Sequence, residues 1–268
     1  EIILTLSVIS ALYGILNASV HRDIKKMLAF CTIENIGIIG IGIGMGMVGK
    51  STGNSYLMLA GFGGALLHTL NHSLFKSLLF FAAGNIYKMT HTRNMEHLGG
   101  LVRHMPFTAV AFLIGALAIG GLPPFNGFVS EFLIYSGLIE GIKSSSPEIS
   151  TLMILSIAGL AMVGGLSLIT FTKTFGVVFL GSPRRHMVHQ PEEVPALMQA
   201  PMMLILILVV AIGLAPGLLL RPLMAALIPL GSIGGLPESV NSTFTLLRPV
   251  GIASGFVVVL VAVLLLLK

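Results

Sequence analysis

An all-α, polytopic membrane fold with about seven crossings, one of them broken, is the architecture this chain predicts, and three observations point to it. Of 268 residues, 55% are hydrophobic and only 9% charged, whereas about a quarter of the residues of a soluble domain carry charge. The mean hydropathy is correspondingly high, at +0.98. The apolar residues also gather into stretches as long as the ~20 residues a helix needs to cross a bilayer. Finally, Gly120-Gly121-Leu122-Pro123-Pro124-Phe125-Asn126-Gly127 sets two prolines in the middle of one such stretch. Each proline removes a backbone donor and pushes the residue before it out of the α region.

The expected crossings run over residues 1–20, 27–48, 57–87, 106–140, 151–181, 199–220 and 247–267. The third, fourth and fifth exceed ordinary length, so they must tilt, break or protrude. The fourth is expected to break at Leu122-Pro123-Pro124, with Gly127 opening the second half. Unwound backbone survives at membrane depth only where protein or a water-filled cavity surrounds it. A tight surface loop between two short helices is the alternative. Against it, 107–122 could barely span, and 125–141 would have to carry Glu131 and Glu140 across.

Charge supplies topology. The chain holds 15 Lys and Arg against 10 Asp and Glu, a net charge of +5, but the bases are scattered over loops and form no nucleic-acid-binding face. In alternate loops, Arg22, Lys25, Lys26, Lys88, Arg93, Arg103, Arg184 and Arg185 make eight on one side, against four on the other: Lys50, Lys143, Arg221 and Arg248. The richer side, with loops 21–26, 88–105 and 182–198, is expected in the cytoplasm of a prokaryotic cell, beneath its cytoplasmic membrane. Counting the broken segment as one crossing keeps Arg184 and Arg185 on that side.

Several chemistries are set aside. Cys31 has no partner for a disulfide or thiolate site and reads as packing. Nucleophile triads, phosphate-binding loops and haem patterns are absent from the sequence, so neither a cofactor nor a catalytic or redox centre is expected. Gly61, Gly63 and Gly64 suit close helix packing, and Asn241-Ser242-Thr243 is too short a glycosylation pattern to carry weight. The chain starts at Glu1, inside an apolar run, and stops in another at Lys268, so it is expected to be a fragment of a longer protein.

What remains is a set of ionisable residues within or beside apolar stretches: Asp23, Glu34, His68, His72, Lys76, Glu131 and Lys173. Such groups are expensive in hydrocarbon and mark ion or proton pathways by default. His68, His72 and Lys76 stand at i, i+4 and i+8, on one helical face, and climb about 12 Å along the axis. Imidazole titrates near neutral pH, so the ladder can pass protons through intervening waters. A zinc pair at His68 and His72, or plain interhelical hydrogen bonding, are the alternatives. Glu131 follows the break on a half-helix, where it acts as a proton acceptor or snorkels as an exposed acid. Lys173 is placed either to join the path or to snorkel to the interface. Glu34 is expected to pair with Lys25 or Lys26 near the membrane edge, structurally or as part of a relay.

Asp23-Ile24-Lys25-Lys26-Met27-Leu28-Ala29-Phe30, the His68 to Lys76 ladder, and Gly121-Leu122-Pro123-Pro124 with Gly127-Phe128-Val129-Ser130-Glu131 occur in that order. Over residues 1–220 this pattern resembles the antiporter-like membrane subunits of respiratory complex I, Mrp-type cation/proton antiporters and membrane-bound hydrogenases. Thr32-Ile33-Glu34-Asn35-Ile36-Gly37 and the Pro123 to Glu131 string resemble the formate hydrogenlyase branch most. The resemblance implies two inverted five-helix repeats, each with a broken helix and half a proton channel, joined by a hydrated axis. Residues 1–220 would be the second repeat and a following helix, 221–246 an extramembrane loop and 247–268 a terminal helix, with the first repeat missing. It further implies proton-carrying roles for His68, His72, Lys76 and Glu131, and family positions near the inner channel for Asp23 and Lys25. Implied partners are other membrane subunits, indirectly a peripheral redox subunit, lipid, and protons or Na+. A sodium/proton antiporter subunit and a purely structural membrane scaffold are the rival readings.

Overall fold

The computed structural model describes residues 1–144, 146–184 and 190–231, together with 241, 245, 247–249, 251–252 and 255–256. The described residues are overwhelmingly helical. The principal helices are α1 (Ile2–Val20), α2 (Ile24–Thr52), α3 (Ser55–Thr90), α4 (Pro106–Ile119), α5 (Asn126–Ser144), α6 (Pro147–Phe179), α7 (Ala196–Leu214) and α8 (Gly217–Leu227).

Local chemistry sets the helix ends. Asp23 caps α2 by accepting from the Lys25 and Lys26 amides, and Asn54 caps α3 by accepting from Leu57 N. Between them Gly53 takes the left-handed conformation, φ 72°, that closes α2. Pro106 and Pro147 occupy the first helical turns of α4 and α6, where the missing N–H costs nothing. Pro216 pushes Ala215 out of the helical region, so α7 ends at Leu214 and the crossing expected to run to 220 stops short of it.

Four described helices, α1, α2, α6 and α7, are long and apolar enough to cross a membrane by length and composition. The 36-residue α3 carries the polar ladder in its middle. The fourth expected crossing is divided into α4 and α5, with Gly120 to Phe125 non-helical between them. These halves barely touch each other, while both pack on α3. They behave as two pieces of one interrupted rod, unlike the hairpins α1–α2 and α2–α3, which pack along their lengths. The seventh expected crossing, 247–267, and Arg185 lie largely or wholly outside the described residues, and the expected boundary at 220/221 falls inside α8.

The α2–α3 seam is built from small residues. A Cβ on Gly61 would land on the Gly46 backbone, so the two helices touch main chain to main chain. At one end of the bundle the loops meet. Ile24 N donates to Arg93 O, Met95 N to Arg22 O, and Gly100 N to Leu180 O. Arg93 pairs with Asp23 at 3.3 Å and Arg22 with Glu96 at 2.9 Å. Three loops that the base count assigns to one side therefore share one end.

Gly61→Ala is expected to destabilise the protein by about 1–3 kcal/mol through forced separation of α2 and α3. Gly84→Ala, where an added Cβ would meet nothing within 4 Å, is expected to be neutral or mildly stabilising. Thermal denaturation of both variants in detergent checks the contrast; equal midpoints would remove the seam from the account of the fold.

Candidate functional site at the broken helix

The site forms where α3 meets α2 and the start of α5. His68 is wholly buried on α3, its Nδ1 2.9 Å from Ser130 Oγ of α5 and its Nε2 3.1 Å from Asn35 Oδ1 of α2. Both ring nitrogens are therefore engaged, which leaves no electron pair for the zinc alternative. One turn on, His72 packs edge-on against Phe75 at 5.6 Å, and its Nε2 is buried without a hydrogen-bond partner among the described residues.

Lys76 is 5% exposed, too deep to snorkel. Its Nζ donates to Leu28 O of α2 at 2.5 Å and lies 5.9 Å from the Phe80 ring centre. Its electrostatic neighbours are Glu34 and Cys31. Glu34 is 1% exposed, with Cys31 and Ser167 beside its carboxylate and Lys76 and Glu131 within electrostatic reach. Its Oε2 has no hydrogen-bond partner among the described residues.

This placement corrects the expected pairing of Glu34 with Lys25 or Lys26. Nine residues of α-helix turn Lys25 about half a revolution away and about 13 Å along the axis from Glu34. Lys25 instead lies 5.0 Å over the Tyr87 ring of α3, and Lys26 is exposed. The cation that meets Glu34 comes from the ladder on the neighbouring helix.

The break is held by asparagine and glycine. Asn71 Nδ2 donates to Asn126 O at 2.8 Å and to Ser130 Oγ at 3.0 Å, while Asn126 Nδ2 donates back to Asn71 Oδ1 at 3.2 Å. Gly127 sits against Ala118 O, where any side chain would collide with the end of α4. Pro123-Pro124 is a cis peptide, and Gly121 has φ 64°. The Glu131 carboxylate lies over Gly121, so close that an alanine Cβ there would stand 2.6 Å from Oε2. Glu131 thus folds back onto the unwound segment, with Tyr135 one turn further along.

Five predicted residues come together: His68, His72, Lys76, Glu34 and Glu131, each acting electrostatically or through a shared partner on the next. Three do not join them. Asp23 is the α2 cap and the Arg93 partner; Lys25 stacks on Tyr87; Lys173 is exposed and reaches Ser19 O, near the end of α1, at 3.4 Å. Residue-by-residue reading passed over Asn35, Asn71, Asn126 and Ser130 as participants. Their signal was position, since each lies inside a string already singled out for its ionisable neighbour.

Comparison with known proteins gives a consistent picture. Residues 1–160 match the family described as NADH:quinone oxidoreductase/Mrp antiporter, transmembrane. Hydrogenase-4 component B of Escherichia coli is 40% identical over 223 residues, 83% of this chain and 33% of that protein. Formate hydrogenlyase subunit 3 of the same organism is 39% identical over 228 residues, 85% of this chain and 37% of its own length. The chain thus spans about a third of the curated relatives it matches. Among solved structures, the membrane-bound sulfane sulfur reductase, an archaeal respiratory membrane complex, aligns with a TM-score of 0.68 and 27% identity, over 82% of this chain and 33% of the matched one.

Substitutions at two positions probe this geometry. Gly121→Ala must hold a left-handed backbone, which costs about 1–2 kcal/mol, and must displace the Glu131 carboxylate; a thermal midpoint unchanged from wild type would contradict the contact. Asp23→Ala is expected to cost ~1 kcal/mol from loss of the cap, and Asp23→Asn far less, because asparagine caps equally well. If denaturation shows the two equally unstable, the Asp23 charge outweighs its capping.

Proposed function

This chain belongs to the NADH:quinone oxidoreductase/Mrp antiporter transmembrane family, and from that premise we propose that it carries part of a proton path in a redox-driven, multi-subunit complex of a prokaryotic cytoplasmic membrane. The observation that supports this best is the run Lys76, Glu34, Glu131, in which a buried cation and two carboxylates from three helices interact in sequence and end at unwound backbone. In the proposed path, water delivers protons to the His68–His72–Lys76 ladder. The charge on Lys76 favours an ionised Glu34, and loss of that charge raises the proton affinity of Glu34. Glu34 then alters the proton affinity of Glu131, which releases toward the break. The unpartnered Glu34 Oε2 and His72 Nε2 favour water or a mobile proton, because a buried polar atom left unpaired costs about 1–3 kcal/mol.

The remaining assignments follow from the same reading. Residues 1–220 correspond to the second repeat of the fold, with the first supplied by further chain. Loops 21–26, 88–105 and 182–198 face the cytoplasm. Asp23 and Lys25 stand at that end as entry-side groups, and Lys173 anchors α6 to α1. Neighbouring membrane subunits and lipid cover the exposed helix faces, and a peripheral hydrogenase-type subunit supplies the redox energy.

Proton uptake into vesicles that carry the whole parent complex tests the path. Glu131→Gln, Glu34→Gln and Lys76→Met are each expected to slow uptake by about tenfold or more, the effect of ~1.4 kcal/mol on a barrier, with subunit content normal. Wild-type uptake in all three would leave the scaffold reading standing. Uptake that vanished on removal of Na+ would instead assign a sodium-coupled antiporter.

A further inference from the structure

Hydrogen-bond chemistry around His68 leaves its protons few arrangements. Asn35 Nδ2 donates to Cys31 O at 2.8 Å. A carbonyl only accepts, so the Asn35 atom turned to His68 is Oδ1, 3.1 Å from Nε2. An amide oxygen also only accepts, and Nε2 must therefore carry a hydrogen whether the ring is neutral or cationic. In the neutral ring Nδ1 is bare, and it lies 2.9 Å from Ser130 Oγ.

Ser130 is constrained just as tightly. Asn71 Nδ2 points a hydrogen at its oxygen, because that nitrogen's orientation is set by its bond to Asn126 O. One hydroxyl hydrogen remains, with two acceptors in reach: His68 Nδ1 at 2.9 Å and Gly127 O at 3.0 Å. With a neutral ring the hydroxyl must serve Nδ1. With a cationic ring Nδ1–H donates to Oγ, whose two lone pairs take Asn71 and His68, and the hydroxyl hydrogen turns to Gly127 O. In helical register Gly127 O is also the carbonyl that receives the Glu131 amide.

We infer that Ser130 is a hydroxyl rotor which transmits the protonation state of His68 to the first turn of the broken helix α5, and that Asn35 sets the tautomer that makes the rotor respond. The inference rests on the proton-path reading. Within it, a proton on Nδ1 adds a second donor to Gly127 O and weakens that carbonyl's hold on the backbone of Glu131. Gly127 cannot move away, being pressed against Ala118 O. His72, one turn along α3, is the titratable neighbour acting on the His68 ring. Ser130 and Asn35 are positioning residues here: they carry no net proton and act through His68 and Glu131.

Nitrogen-15 NMR of the histidine-labelled parent complex, at alkaline pH and with His68→Gln used to pick out the signals, reads the tautomer directly. The expected result is a protonated Nε2 and a bare, hydrogen-bonded Nδ1. Asn35→Leu should release the lock and populate the Nδ1–H form. Ser130→Ala should move the Nδ1 signal toward its unbonded position and slow vesicle proton uptake several-fold, while Ser130→Thr, which keeps the hydroxyl, should restore both. An Nδ1–H ring in the wild type, or normal uptake in a correctly assembled Ser130→Ala complex, overturns the inference. If Glu131→Gln is silent as well, the proton-path reading falls with it; if Glu131→Gln blocks uptake and Ser130→Ala does not, the rotor alone is wrong.

Discussion

Gly46 and Gly61 meet through their backbones, and the close α2–α3 contact of which this is one point is the frame in which Lys76 and Glu34 meet. At that spacing the Lys76 side chain reaches across to Leu28 O and comes under the field of Glu34. A buried cation without a partner is far more costly than one with a carbonyl and a carboxylate at hand. The α2–α3 contact thus joins charge to charge as well as packing backbone to backbone.

The same helix α3 holds the break. His68 and Asn71, one turn apart, grip Ser130 and Asn126 on the first turn of α5. Asn126 and Gly127 are buried, whereas in the unwound stretch itself Gly121, Leu122, Pro124 and Phe125 are half-buried and Pro123 is exposed. The heavy atoms of this network are held by several bonds at once, while the Ser130 hydroxyl hydrogen keeps two acceptors within reach, His68 Nδ1 and Gly127 O. Rigidity on that side contrasts with Glu131, which lies over Gly121, where no side chain intervenes between the carboxylate and the unwound backbone. Anchoring and exchange are divided between neighbouring residues, Ser130 and Glu131.

Much of this was legible in residue order. Two adjacent prolines in an apolar run announce a break on steric grounds alone, and ionisable residues four apart share a helical face whatever surrounds them. The partner of Glu34 was not legible, because proximity along the chain favoured Lys25 and Lys26 while helical phase turned the first of them away. Only the register between α2 and α3 brings Lys76 to it, and that register depends on glycines that carry no chemical signature. The asparagines were invisible for another reason. Asn35 and Asn71 become informative only once the acceptor-only character of Cys31 O and Asn126 O fixes which way each amide points.

Energetics weigh against a purely structural purpose for the cluster. Interhelical hydrogen bonds in membranes contribute about 0.6–2 kcal/mol each, and Asn71 with Asn126 and Ser130 already supplies several between α3 and α5. Adding Glu34, Lys76 and Glu131 gains no further direct α3–α5 bond among the described residues, yet each brings the desolvation penalty of an ionisable group, several kcal/mol per ion. A scaffold under no other demand would be more stable with apolar residues of similar volume at these three positions. Their presence beside polar atoms unpartnered among the described residues is physically reasonable if the charges are not static: two protons shared among Lys76, Glu34 and Glu131 leave at least one of the three neutral in every arrangement, so the full cost of simultaneous ionisation is never incurred.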